Sequence, residues 1–318
     1  MQQFINRAII LLSLCAFSGF GFAGPWFTGP LLAPAGHTVP RGHTNLEIYG
    51  LDVFSDGQFN SSGQLIRSPQ FKSFVTNPIL THGFTDWLDV QVTLPYVFNS
   101  TRGVNHNRLA DITTALGFQL IEQKGSPKRA DVRILVQQTF PTGNFENLIP
   151  QLLGTDSTGS GSYQTQVGVN FQYLLEVFDS HYLRTRLILS HLYTSPVTVH
   201  GVSSYGGTTG TYGRINSGGE NDADLAFEFT LTQNWVAVLE GTISKGSATL
   251  FNGILDIGNI GGPTPNIGSG NYYEEALAPA LEYNFNSNIG LIGGVWFPVR
   301  GKNTGHYMTY VLALNAYW

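Results

Sequence analysis

The composition of this 318-residue chain differs from that of a typical water-soluble protein. Only 12% of the residues are charged, against about a quarter in soluble proteins, and 13% are aromatic. The formal net charge of −5 at pH 7 offers no basic face for phosphates, so we expect no nucleic-acid partner. No run of about eighteen apolar residues follows Ala23, which excludes membrane-spanning helices. This balance favours a closed β-barrel facing lipid, because closure satisfies every backbone polar group within hydrocarbon.

Residues 1–23 have the features of a secretory signal peptide. Arg7 is their only charge, an apolar run follows it, and small residues precede the expected cleavage site before Gly24. The apolar core is too short to anchor the chain in a bilayer. Cys15 is the only cysteine, and the bulky Leu14 before it argues against lipidation. We therefore expect a secreted chain without disulfides or thiolate chemistry.

Residues 24–43 precede the first predicted strand and differ in composition from the rest of the chain. They contain four prolines and four glycines, which disfavour regular structure, yet they are too apolar for a free tail. Two arrangements fit this composition. The segment is either a plug within the barrel lumen or an extended periplasmic arm.

Residues 44–318 are expected to form the barrel. Alternating apolar and polar residues between turn signals predict twelve strands. These are 44–54, 71–82, 86–98, 110–121, 130–141, 162–176, 181–193, 222–232, 234–245, 272–285, 288–299 and 306–318. The longer connections are expected at 55–70, 99–109, 142–161, 194–221, 246–271 and 300–305. Because short and long connections alternate, we predict an all-β fold, a closed antiparallel transmembrane β-barrel of about twelve strands, with ten or fourteen as alternatives.

Three strands show which side chains face the lumen. In 110–121, 162–176 and 222–232, one alternate set is mostly apolar or aromatic and the other is polar or small. We expect the apolar set to contact lipid. Glycine and proline interrupt the first, second and eleventh strands. The prolines expected at strand ends or bulges are Pro78, Pro95, Pro279 and Pro298.

Aromatic residues cluster beside the predicted short turns, where a girdle at the periplasmic interface would lie. They are Trp87, Tyr173, Tyr182, Trp235, Tyr283 and Phe285. Taken singly, each is equally compatible with a soluble β-core. Their common position at one rim favours the membrane interface.

Short motifs carry a resemblance to a known family. The stretch from His82 to Tyr96 reads HGFTDWLDVQVTLPY, a glycine-led turn followed by Asp, an apolar pair, "DV" and "LPY". Further on, 117–120 reads GFQL and 140–143 reads FPTG. This pattern resembles the outer-membrane transporter-like proteins grouped with the meta-pathway of phenol degradation. The resemblance implies a barrel for uptake of small, hydrophobic or aromatic compounds, and it transfers no functional residues.

The charged and amide residues that face inward by parity are the candidates for a functional lumen. The strongest lumen-lining candidates are Asp89, Gln91, Asp111, Arg133, Gln164, Gln166, Arg184, Arg186, Glu228, Glu240 and Glu282. The same parity turns Gln137, Asn170, Gln172 and Asp224 inward. These residues carry both positive and negative charges, whereas the wall of an anion-selective or cation-selective pore carries mainly one sign of charge. Arg184 and Arg186 are placed to pair with Glu228 on the next strand, so the lumen is either closed by ion pairs or a narrow polar conduit.

Two other functional classes fit the sequence less well. A barrel lipid hydrolase needs Ser and His on one face, but His191 faces outward and its neighbour Ser190 faces inward. No metal-binding or cofactor-binding motif is present, so we expect no enzyme, metal or cofactor. An adhesive or structural barrel would use the loops at 194–221 and 246–271. In these loops only Tyr205 and Tyr212 are of the residue types that usually supply binding energy at interfaces. Protease trimming of the loops would abolish adhesion and leave transport.

The C-terminal strand is the most specific single feature. Met308, Tyr310, Leu312, Leu314, Ala316 and Trp318 form a wholly apolar or aromatic alternate set. A terminal strand that ends on an aromatic residue resembles the C-terminal signature of bacterial outer-membrane barrels. Tyr310, Leu312, Leu314 and Trp318 are therefore the candidate membrane-assembly signal. We expect a location in the Gram-negative outer membrane, and as partners outer-membrane lipid, the barrel-assembly machinery and a small-molecule solute.

Overall fold

The computed structural model describes residues 25–124, 128–178, 180–255 and 267–318. The predicted signal peptide, 1–23, lies outside these residues. Within them are seventeen β-strands and one short 3₁₀ helix (Pro150–Leu152). The strands are β1 (Thr44–Phe59), β2 (Leu65–Thr85), β3 (Leu88–Thr93), β4 (Tyr96–Thr101), β5 (Val104–Leu109), β6 (Ile112–Ile121), β7 (Asp131–Phe140), β8 (Gln164–Phe178), β9 (His181–Thr194), β10 (Val197–His200), β11 (Tyr212–Asn216), β12 (Glu220–Thr230), β13 (Trp235–Gly246), β14 (Leu250–Ile254), β15 (Tyr272–Asn284), β16 (Ile289–Lys302) and β17 (Thr304–Tyr317).

The large sheet closes on itself, because β1 pairs with both β2 and β17 in antiparallel register. Thr44 and Trp318 exchange two backbone hydrogen bonds at the seam, at 2.8 and 3.0 Å. The strands β3 and β4 are two halves of one barrel strand that is interrupted at Leu94 and Pro95, and β5 and β6 together form the next strand. The described residues therefore form a closed antiparallel barrel of twelve strands, which confirms the predicted fold class.

Several connections differ from the expected lengths. The prediction of long loops is wrong at 55–70, 99–109 and 300–305. The flanking strands extend into these stretches and meet in tight hairpins. At the tip between β4 and β5, Arg102 and Gly103 both have positive φ, at 48° and 81°, as a two-residue hairpin turn requires. Two of the connections that remain long carry β10, β11 and β14, which form a separate three-stranded sheet, and a third, between β7 and β8, contains the 3₁₀ helix. Sequence alternation located the strands but not how far they extend past the membrane.

The outward face of the barrel is apolar at mid-height. Leu189, Leu225 and Leu239 lie on three neighbouring strands and are 48%, 40% and 51% exposed. Ala226 and Glu240, which follow two of them and point inward, are fully buried. Exposed leucines over a buried polar interior are the arrangement of a membrane barrel, in which lipid covers the outer face. No helix in the described residues is long and apolar enough to cross a bilayer.

Substitution on this face tests the lipid contact. We expect Leu225→Arg, at the centre of β12, to lower the free energy of unfolding by about 2–4 kcal/mol, since a guanidinium near the bilayer midplane is poorly solvated. Leu250→Arg is the matched control, because Leu250 is 62% exposed on β14, outside the barrel wall. Its effect should stay within about 0.5 kcal/mol. Urea unfolding in lipid vesicles measures both, and equal effects would contradict a lipid-facing Leu225.

Aromatic side chains surround the short-turn end of the barrel. The rings of Trp235 and Tyr283 lie 4.7 Å apart, and Phe285 contacts Tyr283 edge-on at 5.1 Å. Tyr182 was expected in the same girdle, but it lies on the inward side of β9, two residues before Arg184, so that expectation is wrong.

Candidate functional site: the lumen and the N-terminal segment within it

A cavity of about 1030 Å³ occupies the barrel interior. Inward side chains of the wall form one side of it, and residues 27–40 of the N-terminal segment, defined here as 25–43, contribute to the other. The contacts of this segment with the wall place it inside the barrel. They involve two opposite parts of the wall.

The first half of the segment is held by two buried glutamates. Glu282 accepts hydrogen bonds from the backbone N–H groups of Thr28 and Gly29. Glu240 accepts from the N–H of Leu32 at 3.1 Å and from the following residue. Leu31, between these contacts, is 3% exposed and belongs to the main apolar cluster of the barrel. Both carboxylates therefore bind the main chain while the apolar side chain packs against the wall.

The second half is bound by the opposite part of the wall, again mostly through the main chain. Arg133 donates to the carbonyl of Ala35 at 2.9 Å, and Asn170 donates to the same oxygen at 3.2 Å. The N–H of Val39 donates to Asp89 at 2.8 Å. Similar bonds join Gly36 to Gln172 and Thr38 to Gln119. Backbone recognition on both sides fits a segment whose prolines and glycines leave its polar groups without helix or sheet partners.

Two glycines in the wall make room for these contacts. Gly117 lies beneath the ion pair of Asp89 and Arg133, and a Cβ atom there would collide with both side chains. A Cβ atom on Gly290 would collide with the hydroxyl of Thr28. Inward-facing glycine inside a strand thus marks the close approach of another part of the chain.

Buried ion pairs connect the strands at the level of the segment. Arg133 and Asp89 are 2.6 Å apart, and both are almost completely buried. Glu228 accepts from Arg184 Nε at 2.6 Å and lies 3.4 Å from Arg186 Nε, which confirms the pairing expected from parity.

Arg184 and Arg186 also contact the N-terminal segment. The guanidinium of Arg184 lies 4.1 Å from the ring centroid of Phe27, a cation–π distance. Arg186 donates to the carbonyl of Ala33 at 3.0 Å. The segment and the ion pairs therefore form one connected network.

His37 is a titratable side chain of the segment that lines the central cavity and is exposed to it. Enclosure by the barrel wall, followed by the nearby charges of Arg186 and Arg184, lowers the pKa of its imidazole below the ordinary value. The ring is therefore neutral at pH 7. Gln172 Nε2 lies 3.3 Å from its Nδ1, which can accept a hydrogen bond in the neutral form.

The predicted lumen-lining residues fall into three groups. Those that line the central cavity are Asp89, Gln91, Arg133, Gln166, Arg184 and Arg186. Those that are fully buried and bound to the segment or to arginine are Glu228, Glu240 and Glu282. Those that lie nearer the outer loops are Asp111 and Gln164. Asp111 accepts from the N–H groups of Gly143 and Ser160, at 2.9 and 2.8 Å, so it anchors an outer loop.

A second cavity of about 880 Å³ lies between the wall and the outer loops. Its lining is rich in Ser, Thr, Asn and Gly, with Asp111 and Glu220 as carboxylates and Phe71, Tyr205 and Tyr272 as aromatic rings. No lysine or arginine is among the described residues that line it. Glu220 contributes to both cavities, so they adjoin at that residue.

Four acidic residues of the lumen were not among the candidates from sequence. Glu220 and Asp222 share the inward parity of Asp224, and Glu274 faces them from β15. The signal was present for the first two, because Asp222 begins the predicted strand 222–232 and Glu220 has the same parity two residues earlier, where β12 begins. Glu47 lies on the first strand, where interruption by glycine left the parity unassigned.

His191 and Ser190 do not form a catalytic pair. His191 Nδ1 lies 2.9 Å from Asn221 Oδ1 on the outer surface. Ser190 accepts from Gln166 Nε2 at 2.9 Å inside the lumen. The two side chains therefore occupy opposite faces of β9, as parity predicted.

No protein-family model matches the chain, and no curated protein matches its sequence. Among solved structures, it is similar to an outer-membrane channel from Pseudomonas putida F1, with a TM-score of 0.68 and 15% identity. The similarity covers 91% of this chain and 100% of that one. The chain has the fold of a bacterial outer-membrane β-barrel.

Two other solved structures are less similar. The translocator domain of the autotransporter NalP from Neisseria meningitidis has 9% identity and a TM-score of 0.47, over 86% of this chain and 88% of that one. The Pseudomonas putida toluene transporter TodX has 10% identity and a TM-score of 0.35, over 86% and 88%.

On this barrel, Tyr310, Leu312, Leu314 and Trp318 are all outward, at 54%, 56%, 40% and 57% exposure. The side chains of the candidate assembly signal are thus presented to lipid.

Proposed function

We propose that this protein is a channel of the bacterial outer membrane for the passive passage of small solutes, and that its N-terminal segment is the plug of that channel. The observation that carries the proposal is a central cavity, lined by both polar and apolar side chains, that adjoins a segment outside the barrel sheet. A barrel that served only as a structural element would gain nothing from retaining this space.

The plug can leave without disrupting the wall. Within the described residues, its backbone pairs with the barrel sheet only around Gly83, through an isolated bridge with Arg41 and hydrogen bonds with Gly42 and His43 at the end of the segment. Its other polar contacts are mostly individual hydrogen bonds, each of which contributes about 0.5–1.5 kcal/mol net, or about 1.5–3 kcal/mol where one partner is charged. The barrel ladder closes separately through β1 and β17. Release of the plug therefore breaks contacts of side chains with main chain and leaves the sheet intact.

The fold shared with the Pseudomonas putida F1 channel supports this proposal. The motifs at 82–96 and 140–143 resemble those of the transporter-like family grouped with the phenol meta-pathway. This resemblance makes small hydrophobic or aromatic compounds candidate solutes. The lining of both cavities combines polar and apolar groups, which suits solutes that have hydrogen-bonding groups as well as apolar parts. We propose no catalytic role, since His191 and Ser190 are separated.

Planar-bilayer recording of the refolded mature protein tests the channel directly. We expect discrete openings of low conductance, interrupted by long closures, because the plug occupies part of the lumen. Liposome swelling with small polyols is expected to be slow but faster than in empty liposomes. Vesicles that contain folded protein and admit no solute would contradict the proposal.

A further inference from the structure

Two buried oxygen atoms on the cavity wall lack hydrogen-bond donors. Asn170 is 1% exposed and donates its amide to the carbonyl of Ala35, which leaves its Oδ1 without a partner. Oδ1 of Asp224 is also buried and without a partner. Both residues line the central cavity. A buried acceptor without a donor is costly, so each oxygen is suited to a donor that a solute supplies.

The two acceptors lie at the same height in the barrel. Asn170 on β8 and Asp224 on β12 both pair with Ile188 on the strand between them. Two strand spacings separate their Cα atoms by about 10 Å. Ile188 in turn packs against Ala33 of the plug. The acceptors therefore lie on either side of an apolar floor, defined here as the contact of Ile188 with Ala33, at a separation that a small molecule can span.

The charged groups around this floor are mostly negative on its outer side. Glu240 lies beside Asp224, and the inward row continues outward through Asp222 and Glu220, with Glu274 facing it from β15.

The positive groups near the floor lie at the level of the plug. Arg186 is bound to Ala33 and Glu228, and Arg184 is bound to Glu228. Arg133 is bound to Asp89. A positively charged solute that enters from outside therefore meets carboxylates before it meets any arginine of the described lining.

We propose that the floor of the central cavity is a binding site for small protonated amines that also carry hydroxyl groups. The ammonium group binds the adjacent acidic side chains of Asp224 and Glu240, whose mutual repulsion a cation relieves. A hydroxyl or N–H group of the same solute donates to Asn170 Oδ1. Anions of the same size are repelled by the acidic row. The inference deepens the proposed channel function by naming its solute class.

Isothermal titration calorimetry on the detergent-solubilised full-length mature protein tests the site without requiring transport. Three six-carbon polyols serve as probes, namely 1-amino-1-deoxysorbitol, sorbitol and gluconate, which are positive, neutral and negative. We expect the amine to bind at least about tenfold more tightly than sorbitol, since a charge-assisted hydrogen bond is stronger than a neutral one. Gluconate should show no binding.

Asp224→Asn should remove the preference for the amine over sorbitol. Glu176→Gln is the matched control, because it removes the same charge from an exposed position at the short-turn end of β8 and should leave the preference unchanged. The site would be overturned if the wild-type protein bound the three ligands equally. It would also be overturned if folded Asp224→Asn still preferred the amine over sorbitol. The three-ligand comparison decides the question even if that variant does not fold.

Bilayer recording of the same preparation separates this inference from the channel proposal. Amine binding without any conductance would leave the site standing and refute the channel. Conductance without preferential amine binding would leave the channel and refute the site.

Discussion

Deletion of residues 25–40 is expected to raise the single-channel conductance severalfold and to abolish the long closures of the intact protein. The reason is geometric, because this stretch carries the contacts to Glu240, Glu282 and Asp89 that hold the segment inside the lumen. The sheet loses no ladder hydrogen bonds, since the first barrel strand begins at Thr44. Planar-bilayer recording measures the conductance, and the heat-modifiable migration of folded barrels confirms that the variant has folded.

A reversible control keeps the full chain. Ala33 of the plug packs in one cluster with Ala226 of the wall, so a cysteine at each position is a candidate for a plug-locking disulfide. The only natural cysteine, Cys15, lies in the predicted signal peptide. The oxidised variant should stay closed, and reductant should restore wild-type openings. If the folded deletion variant conducts no better than the intact protein, residues 25–40 do not close the pore.

Glu228→Gln is expected to lower the free energy of unfolding by about 3–5 kcal/mol. Glu228 is fully buried between Arg184 and Arg186, whose own side chains are almost completely buried. Removal of the carboxylate charge therefore leaves buried positive charge uncompensated. Urea titration of the folded protein in vesicles measures the loss.

The exposed ion pair of Asp56 and Arg67 supplies the control. Both side chains are well exposed, at 39% and 60%, near the outer tip of the β1–β2 hairpin. Asp56→Asn removes one charge from this pair and should change the free energy of unfolding by less than about 1 kcal/mol, because water solvates the remaining arginine. If Asp56→Asn and Glu228→Gln lowered the free energy of unfolding by similar amounts, the contribution of an ion pair to stability would not depend on its burial.

Local alternation was sufficient to predict the strands and the orientation of many side chains. Arg184, Arg186 and Glu228 could be paired from sequence because neighbouring antiparallel strands with known parity bring such residues together. The same reasoning stopped at the strand ends. Glu220 was missed because β12 continues beyond the point where its apolar positions end.

The path of the N-terminal segment could not be derived from its own residues. Its prolines and glycines exclude helix and strand but are equally compatible with a plug and an arm. The decision depends on partners far away in the chain, such as Glu240, Glu282 and Gly290. Inward-facing glycines within strands were the available signal that another segment packs closely against the wall. They do not show which segment that is.

The amino-acid sequence by itself determined a closed barrel of twelve strands with an apolar outer face, because period-two alternation and scarce charge are local properties that each strand carries alone. Only the tertiary structure decided which inward charges are neutralised and which are left facing the cavity. Asp89 and Glu228 have arginine partners, whereas Asp224 has none of its own. Such partners come from strands distant in sequence, and their distances follow from barrel closure and register.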